Sequence, residues 1–141
     1  MENQIYRDIL KQAPEAILFA DREGVIRLWN AGAEAMFGYP AEQALGRSLD
    51  LIIPERLRGR HWEGYARVMA GGASQYGREL LCVPALTRDG GQISSEFSIV
   101  MLRDDQGELL GVAAVMRDVS ARRQKEKELK DKLAALAPAA S

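Results

Sequence analysis

Residues 16–39 read AILFADREGVIRLWNAGAEAMFGY, and this stretch decides the fold. Two short apolar runs, Ala16–Ala20 and Val25–Trp29, flank the polar tetrapeptide Asp21-Arg22-Glu23-Gly24. Two such runs joined by four residues ending in glycine predict a β-hairpin. Asn30 follows at once, and its side-chain oxygen can accept from the free N–H groups of a new helix. That helix is expected over Ala31–Phe37, stopped by Gly38 in a left-handed C-terminal conformation.

Upstream, residues 2–12 read as an amphipathic helix with Ile5 and Ile9 on one face, ended by Pro14. Downstream, residues 40–53 hold short helical turns broken at Gly46. Pro54 suits the first turn of a longer helix over 55–70, which stops at Gly71-Gly72. Strands are expected over 77–87 and 92–102, separated by Arg88-Asp89-Gly90-Gly91. A further strand over 109–118 follows Asp104-Asp105-Gln106-Gly107, a pair of carboxylates that lacks calcium-loop spacing and reads as a solvated hairpin. Two strands, a block of short helices and three more strands argue an α+β domain with an antiparallel sheet.

After Asp118 the composition changes. Val119, Arg122, Glu126, Leu129, Leu133 and Leu136 keep the alternating three- and four-residue steps of a coiled-coil seam. The seam spans fewer than three heptads, so it needs a partner chain or the domain surface for stability. The chain therefore divides into an N-terminal cap helix (1–13), a central domain (14–120), a C-terminal signalling or coiled-coil helix (121–137) and a tail (138–141) expected to be disordered.

Composition narrows the function classes. The chain has 141 residues, with 19 Lys+Arg against 20 Asp+Glu and a formal net charge of −1. That balance excludes a strongly basic nucleic-acid binder and an acidic disordered segment. Residues 122–132 carry six Lys/Arg against three Asp/Glu, but without aromatics or an apolar wedge they read as a coiled-coil flank. No apolar run approaches the roughly 20 residues of a membrane span. Met1-Glu2-Asn3-Gln4 does not begin a secretory signal, so a cytoplasmic location is expected. Neither nucleic acid nor a membrane is expected as a partner. The single cysteine, Cys82, cannot close an intramolecular disulfide and is expected to be a buried small hydrophobe in its strand. The single histidine, His61, excludes any mechanism that needs two. No nucleophile, base and orienting group can be assembled, so the chain is not expected to be an enzyme.

The order of elements resembles the PAS domain family over about residues 6–120. The residues that carry the resemblance are Asp21, Gly24, Val25-Ile26, Trp29-Asn30, Ala33-Glu34 and Phe37-Gly38-Tyr39. They continue with Glu42, Leu45-Gly46, Ile53-Pro54, Arg88-Asp89-Gly90 and Arg117-Asp118-Val119-Ser120. The last four resemble the family's Asp-Ile-Thr element between the final strand and the output helix. The resemblance implies a five-stranded antiparallel sheet with short helices on one face, and a sensory or dimerising module. Pairing as a homodimer through the terminal helices and sheet is expected; the chain either signals to a separate effector protein or is an input module detached from its output domain.

Residues 53–67, IPERLRGRHWEGYAR, resemble the long helix of heme-PAS oxygen sensors of the FixL and Dos type. The resemblance puts His61 at the position of the proximal iron ligand of heme b, with Tyr65 beyond it and Arg67 at the heme propionates. It implies a pocket lined by Leu57, Phe97, Ile99 and Met116. Leu81 falls where the oxygen-binding sensors carry a distal arginine, and Arg78 reaches that place only after a three-residue register shift. An apolar distal side of this kind favours carbon monoxide over oxygen. Two alternatives stay open: a cofactor-free interaction module, or one that binds an unidentified small organic ligand. The stretch Gly46–Leu51 lacks the thiol of flavin photoreceptor PAS domains, which argues against a cysteinyl photoadduct.

Overall fold

The computed structural model describes residues 1–71 and 80–137. Helix α1 (Glu2–Gln12) leads into β1 (Ala16–Asp21) and β2 (Ile26–Trp29). Three helices follow, α2 (Ala31–Phe37), α3 (Ala41–Ala44) and α4 (Glu55–Gly71), with a 3₁₀ turn at Leu49–Ile52 before α4. Strands β3 (Leu81–Leu86), β4 (Gln92–Arg103) and β5 (Leu109–Asp118) complete the sheet, and α5 (Ser120–Leu136) leaves it. The sheet is antiparallel, in the order β2-β1-β5-β4-β3. The α+β fold expected from the sequence is the fold observed.

Register explains the core. Opposed residues of an antiparallel pair share a face, so three rows cross the sheet under the helices. Ala16, Met116, Phe97 and Leu81 form the first, Trp29, Leu18, Ala114 and Ile99 the second, and Ile26, Ala20, Val112 and Met101 the third. Ala33 and Phe37 of α2, Ala44 of α3 and Leu49 and Ile52 of the 3₁₀ turn close over these rows. The small residues Ala16, Ala20 and Ala114 let the helices approach while Phe37 and Trp29 fill the space, their ring centroids 5.4 Å apart.

Asn30 does more than cap α2. Its Oδ1 accepts from Ala33 N at 2.9 Å and from Ile17 N at 2.8 Å, and its Nδ2 donates to the carbonyls of Leu10 and Glu15 at 2.9 and 3.0 Å. One buried amide thus joins α1, β1 and α2. Gly38 ends α2 at φ 86, as expected.

Three expectations need correction. Strand β2 starts at Ile26, because Val25 forms a separate bridge to Ser48. Strand β3 starts at Leu81, and residues 77–79, with Arg78 and Gly72, lie outside the described residues. Cys82 is exposed, because its partner across the ladder is Glu96 and both stand on the face away from the helices. The tail 138–141 also lies outside the described residues.

The chain enters and leaves the sheet at one end. Ala16 is paired with Met116, and Arg117 Nη2 lies 3.0 Å from Glu15 Oε1. Helix α1 buries no residue and leaves Ile5 and Ile9 50% and 63% exposed. Helix α5 also buries none, and Leu129, Leu133 and Leu136 are 53%, 70% and 81% exposed. No helix among the described residues is long and apolar enough to cross a membrane.

Candidate functional site

Helix α4 holds the residues singled out as ligands. Its residues 61, 62 and 65 fall at i, i+1 and i+4, so three aromatic rings cluster on one side. His61 lies 4.6 Å from Trp62 and 5.6 Å from Tyr65, and Trp62 lies 5.3 Å from Tyr65, ring centroid to ring centroid. Trp62 donates from Nε1 to Asp50 Oδ1 at 2.7 Å. Tyr65 donates its hydroxyl to the Asp21 carbonyl at 2.5 Å.

The seat for these rings is the turn between β1 and β2. Gly24 has φ +80, and a Cβ built there would lie 2.2 Å from the Trp62 ring. Glycine therefore satisfies both a backbone conformation that L-residues avoid and a contact that leaves no room for a methyl group. The Asp21 carboxylate holds the turn from the other side, accepting from the N–H groups of Glu23 and Val25 at 2.9 and 3.0 Å and from Arg27 Nε at 2.9 Å. Burial alone would raise the Asp21 carboxyl, but these donors outweigh it and hold it below the usual carboxylate range. Burial, with the charges of Asp21 and Glu23, pushes the Tyr65 hydroxyl up to about 12.

His61 itself is half-buried. Its Nδ1 is shielded from solvent and has no hydrogen-bond partner among the described residues. Burial pulls the imidazole below its ordinary value, and the Asp50 charge opposes that only in part. Phe97 and Ile99 pack on the core, Met116 is buried within it, and Leu57 and Leu81 are half-buried. Arg67 is exposed. Trp62 and Tyr65 pack on the same core as Phe97, Ile99 and Met116, an assembly for which the sequence signal was Gly24, read there only as a turn residue.

The donor chemistry suits a heme iron, since a neutral imidazole with one nitrogen free is a common metal ligand. Trp62 and Tyr65 lie against the imidazole. Two open clefts, of ≈ 290 and ≈ 370 Å³, lie elsewhere, and His61 lines neither.

The smaller cleft runs along Arg22, Met69–Gly71, Arg103 and Glu108. The larger lies between the 3₁₀ turn, the start of α4 and the β3–β4 turn, and is lined by Tyr39, Arg47, Asp50, Leu51, Arg58 and Arg88 among others. Its residues come from four separate stretches of chain, and no spacing in the sequence announced them.

A family model described as the PAS fold matches residues 10–124. An uncharacterized protein of Azorhizobium caulinodans is 34% identical over 117 residues, covering 82% of this chain and 16% of that protein. The sensor protein FixL of Bradyrhizobium diazoefficiens is 36% identical over 55 residues, covering 39% of this chain and 11% of FixL. The methanogenesis regulatory histidine kinase FilI of Methanothrix harundinacea is 29% identical over 143 residues, covering 100% of this chain and 16% of that kinase. The chain thus spans about a sixth or less of the length of these relatives. Among solved structures, the PAS domain of a Colwellia psychrerythraea protein superposes with a TM-score of 0.75 at 20% identity, covering 86% of this chain and 99% of that one. A likeness at that identity speaks to the fold alone.

Proposed function

The chain belongs to the PAS-fold family, and on that premise we propose that it is the input and pairing module of a cytoplasmic, bacterial-type sensory protein, non-catalytic in itself. The observation that carries this reading is the root of α5. Val119 is buried, and its N–H donates to the Ser94 carbonyl at 2.9 Å. Ser94 N donates to Ser120 Oγ at 2.8 Å, and Arg122 Nη2 lies 2.6 Å from Glu96 Oε2. The first turns of α5 are thus fastened to β4, whose other face carries Phe97 and Ile99 into the core. A ligand that shifts those core residues shifts β4, and with it the direction in which α5 leaves.

The partner in this reading is a second copy of the chain. Ile5 and Ile9 on α1 and Leu129, Leu133 and Leu136 on α5 form apolar stripes that stay at least half exposed among the described residues. Val100, Leu102 and Leu110 are further exposed apolar residues on the sheet. Light scattering on the whole chain tests it: a dimer that becomes a folded monomer in Leu129→Asp/Leu133→Asp supports the pairing, and a wild-type monomer at high concentration overturns it. A separate effector protein, of the histidine-kinase class that the relatives represent, receives the output.

A second reading makes the ligand heme b, with His61 as the proximal iron ligand, Arg67 at the propionates, Tyr65 beside the ring, and Leu57, Leu81, Phe97, Ile99 and Met116 around it. The unpartnered Nδ1 of His61 and the similarity to FixL support it. An absorption titration with hemin decides it. A sharp band that shifts with reduction and carbon monoxide, and is lost in His61→Ala, supports the reading. The broad band of free hemin in both proteins overturns it.

A further inference from the structure

From the cleft of ≈ 370 Å³ between the 3₁₀ turn, the start of α4 and the β3–β4 turn, we infer a binding site for a small organic oxyanion, a phosphate ester or carboxylate with a flat apolar body. Three guanidiniums, Arg47, Arg58 and Arg88, line this cleft against one carboxylate, Asp50. That carboxylate already accepts from Trp62 Nε1 at 2.7 Å and lies 3.8 Å from Arg58 Nε. In a chain whose formal charge is −1, this leaves a local excess of two positive charges in one concavity.

Two of the arginines, Arg47 and Arg88, are held at their roots and free at their tips among the described residues, and the third is held by its guanidinium. Arg88 N donates to the Phe37 carbonyl at 2.8 Å, which ties the β3–β4 turn to the end of α2. Arg47 donates from N to the Ala44 carbonyl at 3.1 Å and accepts at its own carbonyl from Ile26 N at 2.8 Å. Arg58 is fixed through its side chain, from Nε to the Ile53 carbonyl at 3.0 Å and from Nη2 to the Asp50 carbonyl at 3.2 Å. The guanidiniums of Arg47 and Arg88 have no protein partner among the described residues. Asp89, the carboxylate nearest in sequence, is turned into its own loop, where Oδ1 accepts from the Thr87 hydroxyl and from Gly91 N.

Planar, always-charged guanidiniums match carboxylate and phosphate oxygens in fork geometry. Leu51 and Leu86 supply an apolar floor, and Tyr39 an aromatic wall. The cleft adjoins Asp50, which anchors Trp62, so an occupant there touches the same network that seats α4. The site stands on its own geometry; its place as a sensory input rests on the reading proposed above.

Amide spectra of the whole chain, recorded during titration with phenyl phosphate, benzoate and inorganic phosphate, test the inference. Saturable shifts centred on Arg47, Leu51 and Arg88, with an affinity at least tenfold weaker in Arg47→Gln/Arg88→Gln and weakened by added salt, are expected. Because neither tip has a protein partner, that double variant should keep the wild-type melting temperature. Phenyl phosphate against benzoate separates a phosphate site from a carboxylate site. Shifts spread over unrelated arginines, equal affinity in the double variant, or no saturation with any of the three compounds overturn the site. Saturable binding at the cleft without movement of the α5 amides supports the site and overturns only its sensory role.

Discussion

Replacing Gly24 by alanine isolates the contact that seats α4. At φ +80 an L-residue costs roughly 1–2 kcal/mol. The added methyl would also lie 2.2 Å from the Trp62 ring, and overpacking of a well-filled site costs about 1–3 kcal/mol. Gly46 supplies the control, since it has φ +85 and open space where its Cβ would stand. Gly24→Ala should therefore lose roughly 2–5 kcal/mol and Gly46→Ala only about 1–2 kcal/mol. Urea denaturation followed by far-UV circular dichroism measures both, with unchanged slopes showing that the unfolded state is comparable. Equal losses in the two variants would refute the seating of Trp62 on Gly24. A cycle with Trp62→Leu sharpens the result, because the excess at Gly24 should shrink once the ring is gone.

Other expectations follow from named contacts. Asn30→Ala removes the amide that joins α1, β1 and α2 and should cost roughly 2–4 kcal/mol, read from the denaturation midpoint. Tyr65 should ionise in an ultraviolet titration near the value of about 12 to which burial raises it. Because its folded value is raised above the unfolded 10.0, its contribution is complete below pH 10 and is lost as pH rises toward 12. His61 has the opposite sign for a base: its folded value is depressed below 6.5, so the unfolded chain takes up the proton first. Stability should therefore fall as pH drops below 6.5, and His61→Gln should flatten the melting-temperature profile there. An unchanged profile in that variant would remove His61 as the source.

The fold was legible because each turn carries its own chemistry. Asp21–Gly24, Asn30, Gly38 and Arg88–Gly91 mark where backbone direction changes, and the structure changes direction there. Faces were harder to read. Leu80-Leu81-Cys82-Val83 is uniformly apolar, so no alternation betrays that Cys82 points away from the helices; that follows from its pairing with Glu96. The seat of Trp62 was hidden for a related reason. The turn alone explains Gly24, and only the packing of α4, 38 residues later, shows a second demand on it. Arg47, Arg58 and Arg88 converge through tertiary structure and carry no common spacing. The apolar spacing of Leu129, Leu133 and Leu136 was legible, and among the described residues all three stay exposed on α5.

The pairing of Ala16 with Met116 has a consequence for architecture in longer polypeptides. Because the chain enters and leaves the sheet at neighbouring points, the domain is shaped for insertion as a cassette. A continuous helical rod could be cut at one point and the domain spliced in, with its two ends left almost where they were. Repeated insertion would string several such units along one rod without any sheet having to open. Each unit would then hand on torque through neighbouring attachment points, so the spacing between successive cassettes, counted in helical turns, would set the phase in which their outputs combine.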